Sequence, residues 1–186
     1  MIHKLFLYEI DMKYVRDLAK VDDNVMSVSP QINKSIRPFV GILILVNGKE
    51  YCVPLSSPKP KFAGKKSAVD FLRIRDLSKV DENGGHPVIG ILNFNNMLPV
   101  RADLLQKLDI RVRKSDSPQS EKYKRLLAKQ LDWCQKNEAG ILSHANKTYD
   151  LVVNHPEKNR SLVRRCCDFG KLEAALEKKK SKLLSD

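Results

Sequence analysis

The sequence predicts an α+β fold in which a twisted antiparallel sheet is flanked by helices. Short runs of β-branched and apolar residues, separated by turn residues, dominate residues 1–100. Amphipathic segments with helical spacing dominate the remainder of the chain. A block of strands followed by a block of helices is typical of α+β domains. Because the chain has 186 residues and no repeat or linker, we expect a single domain over residues 1–186.

A β-hairpin within residues 37–61 is the strongest local feature. Two apolar runs, residues 39–46 and 51–55, flank Asn47-Gly48, a pair that accepts positive φ at both positions of a type I′ turn. The first strand is apolar almost throughout, so both of its faces are expected to be covered. The second strand is expected to end at Pro54, and the following SSPKPK segment to form a stiff loop, because proline lacks a backbone N–H.

The other predicted elements follow in chain order. Residues 2–10 predict a strand, and Asp11 is suited to cap a helix over 12–20. A long polar connection, 21–37, then leads to the hairpin. Further strands are predicted over 88–93 and 97–100, whereas 68–74 and 103–110 fit either a short helix or an extended segment. Helices are predicted over 118–136, 138–153 and 169–184.

The charge of the chain predicts a polyanionic partner. The formal net charge is +12 and the pI is about 9.6. Nucleic acid is the first candidate, an anionic membrane surface the second, and a merely basic surface the alternative. The longest uninterrupted apolar run, residues 39–46, is too short to cross a membrane. Four cysteines without C-x-x-C spacing favour a reducing, cytoplasmic location.

The sequence allows a mechanism based on hydroxyl groups and cations, because other common catalytic arrangements are missing from it. The four histidines are scattered, so neither a metal site nor any other cofactor is expected, and no phosphate loop, dinucleotide fingerprint or nucleophile elbow is present. In a hairpin the start of the first strand lies beside the end of the second. Arg37, Ser56, Ser57 and Lys59 are therefore expected to converge. Such groups suit cleavage of RNA, which supplies its own 2′-hydroxyl nucleophile.

Further polar and basic residues are candidates for binding RNA. Phe62 lies among lysines and is expected either to stack on a base or to pin its loop to the core. The predicted RNA-binding residues are Asn33, Lys34, Lys61, Phe62, Lys65, Lys66, Lys122, Lys124 and Arg125.

The order of several motifs resembles the ToxN/AbiQ endoribonuclease toxins of type III toxin–antitoxin systems, and in particular the CptN-like branch. The motifs are LYEIDMKYVRDL at 7–18, RPFVGI at 37–42, VPLSSPK at 53–59, GILNFNNMLPV at 90–100 and YKRLLAKQL at 123–131. PLSSPK is the most specific of them, because the family has P-L-[ST]-S-P-K there. The resemblance spans almost the whole chain.

The resemblance implies a metal-independent ribonuclease that cuts adenine-rich RNA and leaves a 2′,3′-cyclic phosphate. It also implies a sheet related to the Kid/MazF barrel core, with added helices. The implied partners are cellular or phage RNA substrates and a small pseudoknotted antitoxin RNA, which the toxin processes from tandem repeats. Protein and antitoxin RNA would form a closed heteromer, with no membrane involved.

The family's functional positions fall on the residues already singled out from the hairpin. The hydroxyl pair falls on Ser56 and Ser57, the loop lysine on Lys59 and the basic residue before the strand on Arg37. The family often has a tyrosine four residues before that cation, where this chain has Asn33. Two alternatives remain: a non-catalytic RNA-binding module, in which the serines only shape a loop, and a basic scaffold protein whose helices bind other proteins.

Overall fold

The computed structural model describes residues 5–26, 40–57 and 66–183, and it confirms the α+β class. Its strands form one antiparallel sheet. The strands are β1 (Leu7–Ile10), β2 (Val40–Val46), β3 (Lys49–Ser56), β4 (Phe71–Arg75), β5 (Val88–Asn93), β6 (Leu98–Pro99) and β7 (Leu105–Lys107). The helices are α1 (Met12–Ala19), α2 (Pro118–Lys136), α3 (Glu138–Val153), α4 (Arg160–Arg165) and α5 (Phe169–Leu183).

The sheet is open, which corrects the expected barrel core. The strand order is β4-β5-β3-β2-β1-β7, with β6 paired to β3 off this path. In the described part of the chain, β4 and β7 end the path without pairing to each other. The central strand β3 is shared by three neighbours, β2 on one side and first β6, then β5, on the other. Tyr51 and Cys52 therefore have neighbouring strands on both sides, and the last residues of β3, Leu55 and Ser56, pair with β5.

The hairpin turn is confirmed, whereas the predicted end of its second strand is wrong. Asn47 and Gly48 have φ angles of 48° and 75°, as a type I′ turn requires. However, β3 continues through Pro54 to Ser56. On the side away from β2, β3 changes partner from β6, which pairs with Cys52, to β5, which pairs with Leu55. Pro54 lies in the gap between these two ladders, where a missing N–H breaks no hydrogen bond.

The expectation that both faces of β2 are covered is only half correct. Ile42, Ile44 and Val46, which share one face, are each at most 4% exposed. On the other face Leu43 is half-buried and Leu45 is 58% exposed. A purely apolar run does not show whether one face or both faces of a strand are covered, because the residues on both faces are apolar.

The predicted helices α1, α2, α3 and α5 are all present. Ser117 caps α2 by accepting a hydrogen bond from the Ser120 N–H, and Asp11 caps α1 in the same way through Tyr14. The short helix α4 was not predicted. By sequence, two segments fit either a short helix or an extended segment. Of these, 103–110 contains the end of a 3₁₀ turn (Ala102–Leu104) and the strand β7, and 68–74 contains the start of β4. No helix in the described ranges is both long and apolar enough to span a membrane.

The C-terminal helix α5 is fastened to the hairpin by one buried carboxylate. Glu173 accepts hydrogen bonds from the hydroxyls of Tyr51 at 2.7 Å and Tyr149 at 3.0 Å, and it pairs with Lys49. These partners hold the pKa of Glu173 below its usual value against the opposing effect of burial. The network joins β3, α3 and α5, so the helical half of the chain supports the strand that carries the serines.

Two glycines allow a matched test of close packing in the hairpin. A Cβ at Gly41 would lie 2.4 Å from the Val53 carbonyl oxygen in β3, whereas a Cβ at Gly140 in α3 would meet nothing within 4 Å. We expect Gly41→Ala to lower the free energy of unfolding by about 1–3 kcal/mol. Gly140→Ala should raise it by about 0.5–1 kcal/mol. Urea denaturation of both variants measures the contrast, and equal stabilities would contradict the close approach.

Helix α2 is bound to the end of β4 through an ion pair that should be sensitive to acid. The Lys129 ammonium lies 2.7 Å from Asp76, and this contact, together with the Ser78 hydroxyl, lowers the pKa of Asp76 from 3.8 to about 2. A carboxyl with a lowered folded-state pKa stabilises the protein above its unfolded pKa, and that contribution is lost as the pH falls. We therefore expect stability to decline between about pH 4 and pH 2.

The Asp76→Asn variant should lower the free energy of unfolding at neutral pH by about 1.5–3 kcal/mol and flatten this acid dependence. Asp132→Asn is the matched control, because Asp132 pairs with Lys136 on the exposed surface of the same helix. Denaturation at a series of pH values tests the pair, and an unchanged acid profile in Asp76→Asn would contradict it.

Candidate active site

The candidate site lies where β3 ends. Ser56 is the last residue of β3 and is half-buried, while Ser57 follows it and is exposed. Ser56 lies opposite Ile91 of β5, which in turn lies opposite Arg73 of β4. Pairing with β5 holds the Ser56 backbone, and β3 ends at this residue. Rigid scaffolds that end in an exposed loop are common sites of function.

The Ser56 hydroxyl is oriented by an amide side chain that the sequence reasoning did not single out. Asn93 Nδ2, at the end of β5, donates to Ser56 Oγ at 3.0 Å. The same nitrogen lies 3.4 Å from the Ile91 carbonyl oxygen and 3.5 Å from that of Pro54. Since the amide is the donor, the Ser56 hydroxyl keeps its own proton to donate to a further acceptor. The one available signal was an asparagine that ends an otherwise apolar strand, GILN.

Many of the predicted site residues lie outside the described ranges. These are Arg37 and Lys59 of the catalytic set and Asn33, Lys34, Lys61, Phe62 and Lys65 of the RNA-binding set. In the sequence, Arg37 comes three residues before β2 and Lys59 two residues after Ser57. Gly41 of β2 pairs with Pro54 of β3, so the start of the first strand does lie beside the end of the second, as predicted.

The described RNA-binding candidates lie beside β4 and on α2. Lys66 is exposed and precedes Ser67, whose hydroxyl accepts from the Arg73 N–H at 3.2 Å, so Lys66 lies beside β4. Lys122 is exposed on α2, seven residues before Lys129, which places it about 10 Å farther along the helix.

Two basic residues of α2 already have carboxylate partners. Lys124 is 18% exposed and contacts Asp116 at 2.8 Å, and Arg125 contacts Glu121 at 2.6 Å. The first pair is sheltered and binds the start of α2 to the loop before it. Lys124 is thus a structural cation, whereas Lys122 is the most available of the three candidates on α2.

The cysteines do not contribute a nucleophile at neutral pH. All four are buried. Burial raises the pKa of the Cys134 and Cys166 thiols to about 12 and raises the pKa of the other two as well. The chemistry of the described site therefore rests on the hydroxyls of Ser56 and Ser57 and on the Asn93 amide.

Comparison with known proteins identifies relatives that match nearly the full chain. The family described as toxin ToxN of type III toxin–antitoxin systems matches residues 6–177. Endoribonuclease ToxN of Bacillus thuringiensis subsp. kurstaki is 30% identical over 94% of this chain and 84% of that protein. Endoribonuclease ToxN of Pectobacterium atrosepticum is 28% identical over 89% of this chain and 88% of the relative.

Solved structures show the same fold. A type III toxin reported with selective inhibition by a non-coding RNA pseudoknot superposes with a TM-score of 0.70 at 26% identity, covering 95% of this chain and 98% of that one. AbiQ, a lactococcal anti-phage endoribonuclease of a type III system, superposes with a TM-score of 0.74 at 22% identity over 98% of both chains. The predicted family is confirmed: the chain belongs to the ToxN family of toxins from type III toxin–antitoxin systems.

Proposed function

We propose that this protein is an endoribonuclease toxin that cleaves adenine-rich RNA without a metal ion, by attack of the RNA's own 2′-hydroxyl. Membership of the ToxN family supports the enzyme class, since two relatives are named endoribonucleases. The observation that carries the site is the Asn93–Ser56 hydrogen bond, which leaves a fixed hydroxyl with a proton to donate at the end of β3.

In the proposed reaction the 2′-hydroxyl oxygen attacks the adjacent phosphorus and the bond from phosphorus to the 5′-oxygen breaks. The products are a 2′,3′-cyclic phosphate and a 5′-hydroxyl. A base accepts the proton of the 2′-hydroxyl, an acid protonates the departing 5′-oxygen, and negative charge grows on the phosphate oxygens. The protein must therefore position the phosphate, stabilise that charge and move two protons.

We assign these tasks to Ser56, Ser57, Lys59 and Arg37. Ser57 orients the phosphate or the 2′-hydroxyl, and Ser56 supports it from its fixed position. Lys59 stabilises the phosphate or exchanges protons, and Arg37 stabilises the charge of the transition state. Residues 27–39 and 58–65, which carry Arg37 and Lys59, contain five lysines and arginines and no carboxylate. A local excess of positive charge in the sequence favours a phosphate over any cationic substrate.

We also propose that a small pseudoknotted RNA inhibits the toxin, and that the toxin processes this RNA from a repeat array. A structural relative of this chain is reported to be inhibited selectively by a non-coding RNA pseudoknot. The net charge of +12 suits a protein that closes around RNA in a heteromeric assembly. Lys122, which is exposed on α2, is a candidate contact for such an extended RNA.

The test is incubation of the purified protein, freed of nucleic acid, with an adenine-rich RNA in EDTA, followed by analysis of the product ends. Fragments that end in a 2′,3′-cyclic phosphate are expected. Intact RNA, from protein that is folded and binds the RNA, would contradict the proposal and favour a non-catalytic RNA-binding module. A salt titration of binding is the useful companion, because phosphate contacts make affinity fall steeply with salt.

A further inference from the structure

One row of side chains crosses three strands on the face of the sheet that carries Ser56. In antiparallel strands, residues directly opposite each other point to the same face. Ser56, Ile91 and Arg73 are opposite one another in β3, β5 and β4. Ile91 is fully buried yet lies outside the continuous hydrophobic core, whereas its neighbour Leu92, on the other face, belongs to that core. This row therefore lies on the face away from the core, with Arg73 about 10 Å from Ser56 across two strand spacings.

Arg73 lacks the partners that a sheltered guanidinium requires. Its Nε is shielded from water and has no acceptor, one of two such side-chain atoms in the described part of the chain. The other belongs to Arg101, whose guanidinium is nevertheless bound at two points by Asp103. Burial, followed by the neighbouring charge of Arg75, lowers the pKa of Arg73. A half-buried cation without a counter-charge is costly, so its presence calls for an explanation.

The ion pairs of the described residues include none to Arg73, and the aspartates next to β4 already have other partners. The two aspartates that flank the strand, Asp70 and Asp76, are bound to Arg165 at 2.6 Å and Lys129 at 2.7 Å. Beyond the described residues the chain has a single acidic side chain, Asp186. The next cation along β4, Arg75, already donates to the His86 carbonyl oxygen at 2.7 Å. The partner that Arg73 lacks is therefore an anion from outside the chain.

We propose that Arg73 binds a phosphate of the RNA substrate, next to the phosphate held by the serines. This inference rests on the proposed function, which makes RNA the anion that reaches this face. A guanidinium suits the role because it forms two parallel hydrogen bonds to a phosphate. The Ile91 side chain separates Arg73 from Ser56, so Arg73 contacts a flanking phosphate and contributes to binding rather than to the chemical step.

The first experiment measures stability without RNA. If Arg73 awaits a ligand, removing its charge relieves an unpaired cation, and Arg73→Met should raise the melting temperature of the RNA-free protein by about 2–4 °C. If Arg73 instead has a structural role, the same variant melts at a lower temperature. A lower melting temperature would overturn the proposal.

The second experiment measures binding of an adenine-rich RNA in which every ribose is 2′-O-methylated, which removes the nucleophile. Fluorescence anisotropy at a series of KCl concentrations gives the affinity and its salt dependence. Arg73→Gln should bind about 10-fold more weakly, and its slope of log affinity against log salt should be shallower by about 0.7, the loss of one contact to a single strand. Arg73→Lys keeps the charge and should keep the slope while losing part of the affinity.

Arg16→Gln is the matched control, since it removes the same charge from the exposed surface of α1. It should leave the affinity and the slope unchanged. Wild-type affinity and slope in Arg73→Gln would overturn the proposal. Cleavage of unmodified RNA by the wild type is measured separately. RNA that is bound but not cut would refute the proposed function. In that case the slope of log affinity against log salt would still decide whether Arg73 binds a phosphate.

Discussion

Replacement of Lys59 by alanine is expected to lower the rate of RNA cleavage by about 10²–10⁴-fold while leaving RNA binding largely intact. The reason is that the proposed role of Lys59 concerns charge and protons in the transition state, whereas binding is shared among many cations of a chain with a net charge of +12. A change confined to the transition state lowers the rate constant of cleavage and spares the dissociation constant.

Single-turnover cleavage of an adenine-rich RNA measures the rate constant. Fluorescence anisotropy with the 2′-O-methylated RNA measures the dissociation constant. Lys66→Ala is the control, because Lys66 is an exposed lysine seven residues after Lys59 in the sequence. It should weaken binding slightly and leave the rate constant at saturating protein unchanged. Full activity in Lys59→Ala would remove Lys59 from the site. Equal, small losses in both variants would support a module that only binds RNA.

The hairpin that carries the serines was predictable because its signals are local. Asn47-Gly48 specifies its turn through backbone conformation alone, and the apolar runs on either side specify the paired strands. The same holds for α2, whose cap at Ser117 and helical spacing lie within a short stretch of sequence. The convergence of the start of β2 with the end of β3 then follows from antiparallel pairing.

The remaining features depend on partners that are distant in the sequence. Pro54 predicts the end of a strand on local grounds, but the gap between β6 and β5 removes the need for its N–H. Whether a sheet closes depends on its edge strands, and the strand propensities of β4 and β7 do not show that these two strands, as far as the structure describes the chain, do not pair with each other. Arg73 is an ordinary strand arginine in the sequence, and only the pairing of Asp70 and Asp76 with other cations shows that it lacks a counter-charge.

Asn93 illustrates how a site residue escapes local reasoning and also provides the second large effect. Its role depends on β5 pairing with β3, which brings its amide to Ser56. We expect Asn93→Asp to reduce cleavage by about 10²–10³-fold. A carboxylate has nearly the same shape as the amide but only accepts hydrogen bonds, so it would accept the Ser56 proton, which the Asn93 amide leaves free for another acceptor and which we propose is donated to the substrate. It would also place a negative charge beside the bound phosphate.

The comparison variant is Asn83→Asp, which adds the same charge in an exposed turn after β4 and should leave cleavage unchanged. Thermal unfolding by circular dichroism shows whether Asn93→Asp remains folded, because the side chain is half-buried. Asn93→Ala should be less impaired than Asn93→Asp, since it loses the hydrogen bond without adding a charge. A larger loss of cleavage in Asn93→Asp than in Asn93→Ala would indicate that Asn93 acts on the charge at the phosphate and does not merely stabilise β5. The reverse order, or full activity in a folded Asn93→Asp protein, would mean that the Ser56 hydroxyl does not donate to the substrate.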